Sequence, residues 1–440
     1  LQEESALLVN LIESVYRLLW GDLFILPLGG GIGISFMVVL LLAAGIWFTS
    51  RTRLLPVRLF RDMIAAVCEK KQGRDGLSSL QTLIISTATR VGMGNLVGVV
   101  AAVSAGGAGA VFWMWVTALL GASTSFIEST LAQKYRQPDP LYGGWRGGPA
   151  YYLHVLAERK RGKKLKRSVT AALFAASGLI CWCGISQVIS NSVSSAFENA
   201  FHIPPLATTL VLTAIAAVIV LRRNATVKSL DVMVPIMAVC YFVITVGIVL
   251  FNLPKLPAVL GRIFTEAFGL RQAVAGGFGA VLMNGVKRGL FSNEAGMGST
   301  PHAHALAQVK HPCEQGLVAY VGLFFDTFIV LNMTALVILT TGVLDGKSTG
   351  IVLTQAAFTA GLGDIGPGFV AICLFFFAFT TIVGWYFFGE QNVKYLLGLR
   401  WVQSYRVLVL CFLMLGSFLH VTLVWELADF FNGIMVIPNV

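Results

Sequence analysis

The stretch Thr87-Ala88-Thr89-Arg90-Val91-Gly92-Met93-Gly94-Asn95 is polar and broken by glycine, yet it sits inside an otherwise apolar segment of membrane-spanning length. Far downstream, Ser292-Asn293-Glu294-Ala295-Gly296-Met297-Gly298-Ser299 again places Gly-Met-Gly before a small polar residue in a segment of the same kind. A helix that stops in mid-bilayer leaves backbone N–H and C=O groups unpaired, a cost met only when protein, water or a ligand takes them up. Two such breaks at corresponding points of two halves mark the central site of a secondary transporter built from internal repeats.

Composition agrees with a membrane setting. The chain has 440 residues, 56% of them apolar and 12% charged, with a mean hydropathy of +0.78, which excludes a soluble domain and implies a polytopic protein in the lipid bilayer. A net charge of +11 suggests a nucleic-acid partner only if the basic residues cluster on a folded surface. They lie instead in short loops between apolar spans, so no nucleic acid is expected and the charge is read as orientation. The seven cysteines (68, 181, 183, 240, 313, 373, 411) show no zinc or disulfide spacing and fall mostly in apolar segments as packing residues. No signal peptide is visible, and the apolar run at Pro438-Asn439-Val440 reads as an unfinished end.

Residues 5–20 repeat apolar side chains at helical spacing but are too few and too polar to span, so 1–32 is read as an interfacial N-terminal helix. Spans are expected near 33–50, 77–104, 109–133, 169–193, 205–221, 231–251, 273–308 (broken), 316–342, 367–390, 403–420 and from 423, eleven in all. Basic residues test that count: Arg51, Arg53, Arg58, Arg61, Lys70, Lys71 and Arg74 in one loop, ten more across 134–168, then Arg222, Arg223, Lys228, and Lys394, Arg400, Arg406. All fall on one side if eleven spans alternate from an N-terminus outside, as the positive-inside rule requires. The two breaks are then traversed in opposite directions. The fold expected is all-α, a five-plus-five inverted repeat over 77–255 and 256–440, the second repeat incomplete at its C-terminal end, with 33–76 as an additional span and basic cytoplasmic loop.

At this point the residues resemble a known family. Thr89 to Leu96, Gly109-Ala110-Val111-Phe112-Trp113-Met114-Trp115-Val116, Arg146-Gly147-Gly148-Pro149-Ala150-Tyr151-Tyr152 and Arg288 to Ser299 look like signatures of the alanine or glycine:cation symporter family, over nearly the whole chain. The resemblance implies the five-plus-five inverted-repeat fold, sodium coupling, small neutral amino acid substrates and a multi-pass protein of the plasma (inner) membrane, with no enzymatic activity. Val91-Gly92-x-Gly94-Asn95 also resembles the broken first core helix of the neurotransmitter:sodium symporters. One departure stands out: where the family reads Gln-Ala-Asn in the fourth span, this chain has Ile189-Ser190-Asn191, and the nearest glutamine, Gln187, is on another face. An altered specificity, or a proton in place of sodium, is the alternative.

A zwitterionic amino acid needs partners for a carboxylate and an ammonium, and a broken helix offers free N–H groups at the start of its second half and free C=O groups at the end of its first. The amides around Met93, Gly94 and Asn95, with Thr89 and Gly92 beside them, are expected to take the carboxylate, and carbonyls near Phe291 and Ser292 the ammonium. The bland alternative is that these glycines only pack helices. By resemblance, sodium is held by the carbonyls of Ala88, Val91 and Phe377 and the hydroxyls of Thr380 and Thr381; otherwise each threonine bonds its own helix. Trp385, one turn after Thr381, either walls the pocket or faces lipid. Asn191 is a pocket residue by resemblance and Gln187 a weaker one. Arg90 and Glu294 each stand two residues before their Gly-Met-Gly and are expected to form a gating pair, or else to face separate vestibules. Lys287, Arg288, Asp326 and Glu128 are in-span charges given no role beyond gating. His302 and His304 suit neither a metal pair nor an acid–base dyad. A channel needs a symmetric pore or charge ring and an enzyme a nucleophile with a base or metal; neither pattern was found in the sequence.

Overall fold

The computed structural model describes residues 13–26, 32–69, 76–221, 225–268, 277–344, 350–416 and 421–440. Nearly every element is a helix, the form that closes all backbone hydrogen bonds within one segment. Helix α1 (Phe36–Arg51) starts on Ser35, whose hydroxyl accepts from the Val38 N–H at 3.3 Å. The first broken helix begins at α2 (Ser79–Arg90) with a reciprocal cap between Ser78 and Gln81. It stops at Val91, restarts through a π-helical turn (Gly94–Gly98) and continues as α3 (Val99–Gly106), bent by 43°. Then come α4 (Gly109–Lys134), α5 (Pro149–Arg161), α6 (Val169–Phe201), α7 (Pro205–Val220), α8 (Ala225–Phe251) and α9 (Leu256–Ala267).

The second series opens with α10 (Gly277–Asn293), whose unwound continuation leads to the one-turn α11 (Pro301–His304). Helix α12 (Pro312–Phe324) passes through a π-helical stretch (Phe325–Leu331) into α13 (Asn332–Thr341). The rest is α14 (Gly350–Leu362), α15 (Gly366–Leu396), α16 (Val402–Leu415) and α17 (Val421–Asn439). The two series run in parallel: a broken helix, a helix of 26 or 30 residues, a short helix of 13 in both, then one of 33 or 31. That order is what an inverted repeat requires.

By length and apolarity, Gly109–Lys134, Val169–Phe201, Pro312–Thr341 and Gly350–Leu396 suffice to cross a membrane, as do two bent pairs, Ser79–Arg90 with Gly94–Gly106 and Pro235–Phe251 with Leu253–Ala267, among the described residues. Six stretches thus qualify where eleven were expected. Of the others, α1 and α7 are apolar but 16 residues long, α16 has 14, and α10 is cut at 17 by the second break.

Two other expectations change. The basic loop 134–168 is structured: Gly143 and Gly144, at φ 74° and 71°, turn a hairpin pairing Gln137–Pro138 with Trp145–Arg146, and Pro149 opens α5. The N-terminal segment is not simply interfacial, because Leu19 and Trp20 are buried and the Trp20 Nε1 donates to the Asp429 carbonyl at 3.0 Å. Residues 1–12, Lys70, Lys71, Arg74, Arg222 and Arg223 lie outside the described residues.

The segment before the first broken helix and the segment after the second are stitched together. Leu77 N–H donates to the Leu306 carbonyl (3.0 Å), Gln308 N–H to the Leu77 carbonyl (2.8 Å), and Gln315 Nε2 to Ser79 Oγ (3.0 Å).

Candidate functional site

The first break is made by Val91, which at φ −75° and ψ 73° takes an inverse γ-turn and drops out of the helical ladder. Gly92 N–H reaches back to the Arg90 carbonyl at 2.8 Å. Met93 and Gly94 open the second half-helix, where N–H groups have no carbonyl behind them. At the second break, Glu294 (φ 56°), Gly296 (φ 86°) and Gly298 (φ 81°) occupy the left-handed region. Glycine does this without cost, whereas a glutamate is strained there. An Asx turn from Asn293 Oδ1 to Ala295 N–H, 3.0 Å, steadies the unwinding.

The two breaks face each other. A Cβ added to Gly94 would lie 3.0 Å from Ser292 Cα and 3.5 Å from the Phe291 carbonyl oxygen, so only glycine lets the first break seat on the second. Glu294 turns its carboxylate to the first break: Thr89 Oγ1 donates to it at 3.2 Å, Trp385 Nε1 at 3.3 Å, and Ser299 Oγ also donates to it. Trp385 is buried, its ring 6.0 Å from that of Phe291, which in turn meets Trp425 at 4.9 Å. The lipid-facing alternative for Trp385 is thereby excluded. Met93 is also buried.

The expected Arg90–Glu294 pair is not made in this conformation. Arg90 Nη2 donates to Ser125 Oγ (3.0 Å) and Thr300 Oγ1 (2.9 Å), and Nη1 to the Ala319 carbonyl (3.3 Å), while Glu294 is drawn to Thr89 and Trp385 by its left-handed backbone. Thr89 and Arg90 nevertheless bind opposite ends of the second break, so the residues singled out do tie the two breaks together.

Around Gly92, oxygens converge. A Cβ placed there would lie 2.2 Å from Thr381 Oγ1, 3.2 Å from the Thr89 carbonyl oxygen and 3.4 Å from that of Ala88. Thr380 and Thr381 donate to the Phe377 carbonyl at 3.0 and 2.7 Å, which meets the own-helix alternative but leaves both hydroxyl oxygens with lone pairs. Ala88, Val91, Phe377 and Thr380 are all buried. Asn191 is placed differently: its Nδ2 donates to the Gly416 carbonyl at 3.2 Å, and the backbone of Gln187 packs on the same glycine. The Asn191 side chain and the Gln187 backbone therefore meet the end of α16.

Several partners were not legible beforehand. Asn95 Nδ2 donates to Asp326 Oδ1 at 2.8 Å, and Ser292 Oγ lies 3.0 Å from Asn95 Oδ1. Arg288 and Lys287 grip Asp429 of α17 at 3.1 and 2.6 Å, with the guanidinium 4.2 Å over Trp425. Glu128 accepts from Gly296 N–H (3.3 Å) and from Asn439 Nδ2 (2.7 Å). His302 is stacked between Phe174 and Phe388, and no group of metal-ligating side chains occurs among the described residues.

The sequence profile described as the Sodium:alanine symporter family matches residues 25–440. The chain belongs to that family. It is a multi-pass membrane protein of a transporter family. Among relatives of this symporter-family chain, the "Amino-acid carrier protein AlsT" of Bacillus subtilis is 41% identical over 410 residues, covering 92% of this chain and 85% of that protein. The "Sodium/alanine symporter AgcS" of Methanococcus maripaludis is 36% identical over 441 residues, covering 98% and 93%. Among solved structures, that of MhsT in complex with L-phenylalanine superposes with a TM-score of 0.57 at 15% identity, over 83% of this chain and 89% of that one. The fold is therefore the five-plus-five inverted repeat with two broken helices.

Proposed function

We propose that this protein carries a small neutral amino acid, alanine or glycine in the first instance, into the cell together with sodium, by alternating access around the two facing breaks. The observation that carries this reading is the seating of Gly94 on Ser292 and the Phe291 carbonyl, which makes one site of two unwound segments. The substrate carboxylate takes the N–H groups of Met93 and Gly94 beside Thr89 and Gly92, the Asn95 N–H being already given to the Gly92 carbonyl at 3.2 Å; its ammonium takes carbonyls near Phe291 and Ser292. Phe291, Trp385 and Trp425 form an aromatic wall beside the breaks, and its bulk favours a short side chain. Sodium, as cargo, takes the carbonyls of Ala88, Val91 and Phe377 with Thr380 and Thr381, of which the Ala88 carbonyl and the Thr381 hydroxyl lie against Gly92. The repeats run over 77–255 and 256–440 after an additional span, in the plasma (inner) membrane with the N-terminus outside. The work done is transport and not catalysis.

Uptake of labelled alanine into proteoliposomes tests the reading. Saturable accumulation is expected with an inward sodium gradient and only leak without one; equal uptake in both conditions overturns it. Competition by glycine, serine and glutamine sets the size limit of the aromatic wall.

A further inference from the structure

Between α5 and α6 the chain reads Arg159-Lys160-Arg161-Gly162-Lys163-Lys164-Leu165-Lys166-Arg167, seven cations and no carboxylate in nine residues. The structure folds this run into a fixed turn. Gly162, left-handed at φ 63°, ends α5, and its N–H returns to the Arg159 carbonyl at 3.3 Å. Leu165 N–H donates to Glu158 Oε1 at 2.8 Å, and the buried Ser168, ahead of α6, gives its N–H to the Tyr395 hydroxyl at 3.4 Å. All seven cations are exposed.

The contacts of the turn do not account for its charge. Arg159 is engaged, its Nη1 donating to the Tyr135 hydroxyl at 2.9 Å with the guanidinium 5.1 Å over that ring. The other six form no ion pair among the described residues. Nearby acids are already taken: Glu158 by Leu165 and by His154 at 3.4 Å, and Asp139 and Glu390 by Lys394 at 2.7 and 2.9 Å. Helix dipoles explain only part of the run. Arg159, Lys160 and Arg161 stand in the last turn of α5, where cations are favoured, but Lys166 and Arg167 stand just before the positive end of α6, where they are not.

Helix α6 shows what the turn borders. Of its 33 residues, Val169, Leu173, Ala176 and Ile180 are exposed, at spacings of four, three and four that set them on one stripe. On a helix long and apolar enough to cross a membrane, an exposed apolar stripe faces acyl chains. Lys166 and Arg167 precede the first residue of that stripe by three and two positions, which puts the turn at the depth of the headgroups. A dense run of cations immediately beside a lipid-facing span is the chemistry that recognises anionic lipid phosphate, lysine as a point charge and arginine as a two-pronged donor. Nucleic-acid phosphate carries the same charge, but the depth of the turn belongs to the bilayer.

We propose that the turn from Arg159 to Arg167 is a binding site for the phosphate headgroups of anionic phospholipids in the leaflet it borders. Helix α5 also clasps the end of α15, with the Tyr151 hydroxyl donating to the Gln391 carbonyl at 3.1 Å and His154 Nδ1 beside the Tyr395 hydroxyl at 2.9 Å. Headgroups held at the turn therefore fasten the end of α15 to that leaflet.

The test uses the full-length protein in phosphatidylcholine bilayers containing a small share of spin-labelled phosphatidylglycerol, read by electron paramagnetic resonance as the motionally restricted fraction. Wild type is expected to restrict labelled phosphatidylglycerol in preference to labelled phosphatidylcholine, and less so as salt rises. Lys163→Gln, Lys164→Gln, Lys166→Gln and Arg167→Gln together are expected to lower that preference at least about tenfold. Changing Arg51, Arg53, Arg58 and Arg61 to Gln removes the same charge from another basic loop and is expected to leave the preference in place. Lys163→Arg, Lys164→Arg and Lys166→Arg together are expected to keep it, which separates lost charge from a misfolded turn. No preference in wild type, equal loss in the two glutamine variants, or loss in the arginine variant overturns the proposal. Displacement of the labelled lipid by glycerol phosphate or by an RNA oligomer at equal phosphate concentration also overturns it, since the turn is then a site for a soluble anion or for nucleic acid.

Discussion

Replacing Gly92 with alanine puts one methyl group where Thr381 Oγ1, the Thr89 carbonyl and the Ala88 carbonyl converge. The new Cβ lies 2.2 Å from the hydroxyl, about 1.2 Å short of the 3.4 Å at which ordinary contact begins. None of the three neighbours yields easily: Thr381 is buried and bonded to the Phe377 carbonyl, and the other two oxygens are backbone. Overpacking of this kind costs typically about 1–3 kcal/mol. If that cost falls on the sodium-bound state, affinity for sodium drops roughly 5- to 150-fold. The assay is the sodium concentration giving half-maximal alanine uptake in proteoliposomes, read beside the melting temperature with and without sodium. Gly92→Ala with Thr381→Ala relieves the clash and is expected to restore the melting temperature but not the sodium requirement. Unchanged half-saturation in Gly92→Ala refutes the placement of sodium beside this glycine.

Further outcomes follow from the same geometry. Gly94→Val wedges a branched side chain against Ser292 Cα at 3.0 Å and the Phe291 carbonyl, and is expected to abolish uptake while the protein still elutes as a folded species in size-exclusion chromatography. Asp429→Ala strands Lys287 and Arg288 in a buried site and is expected to cost about 3–5 kcal/mol, seen as a lowered melting temperature in detergent. Trp385→Ala removes one of three donors to Glu294 and part of the aromatic wall; glutamine should then compete with labelled alanine better than it does in wild type. Asn439→Ala unhooks both Glu128 and the Gly296 carbonyl and should raise protease sensitivity near the second break.

The breaks were legible because glycine and charge in the midst of an apolar run are local signals, and hydrocarbon gives them one physical meaning. Thr381 was singled out by family resemblance, and Trp385 by helical spacing from it, since one turn separates them on α15. What escaped depended on direction and on distant partners. Glu294 enters a left-handed backbone, so its carboxylate points to Thr89 and not along the helix face that a pseudo-twofold comparison assumes. Asp326 lies on a π-helical stretch, where the shift in register moves side chains off the faces that 3.6-residue spacing assigns. Asn191 was placed by likeness to a motif this chain does not keep, and its face in fact meets Gly416. Asp429, far along the chain, could not be matched to Lys287 and Arg288 from spacing alone.

The backbone stitch from Leu77 to Leu306 and Gln308 yokes one arm of each broken helix to the other. Hinged separately, they would have to tear that seam each time the door on their side opens; hinged together, they swing as a single leaf about the scaffold helices. Spin labels on these two arms should therefore keep their spacing through the whole cycle, while either arm moves relative to α15.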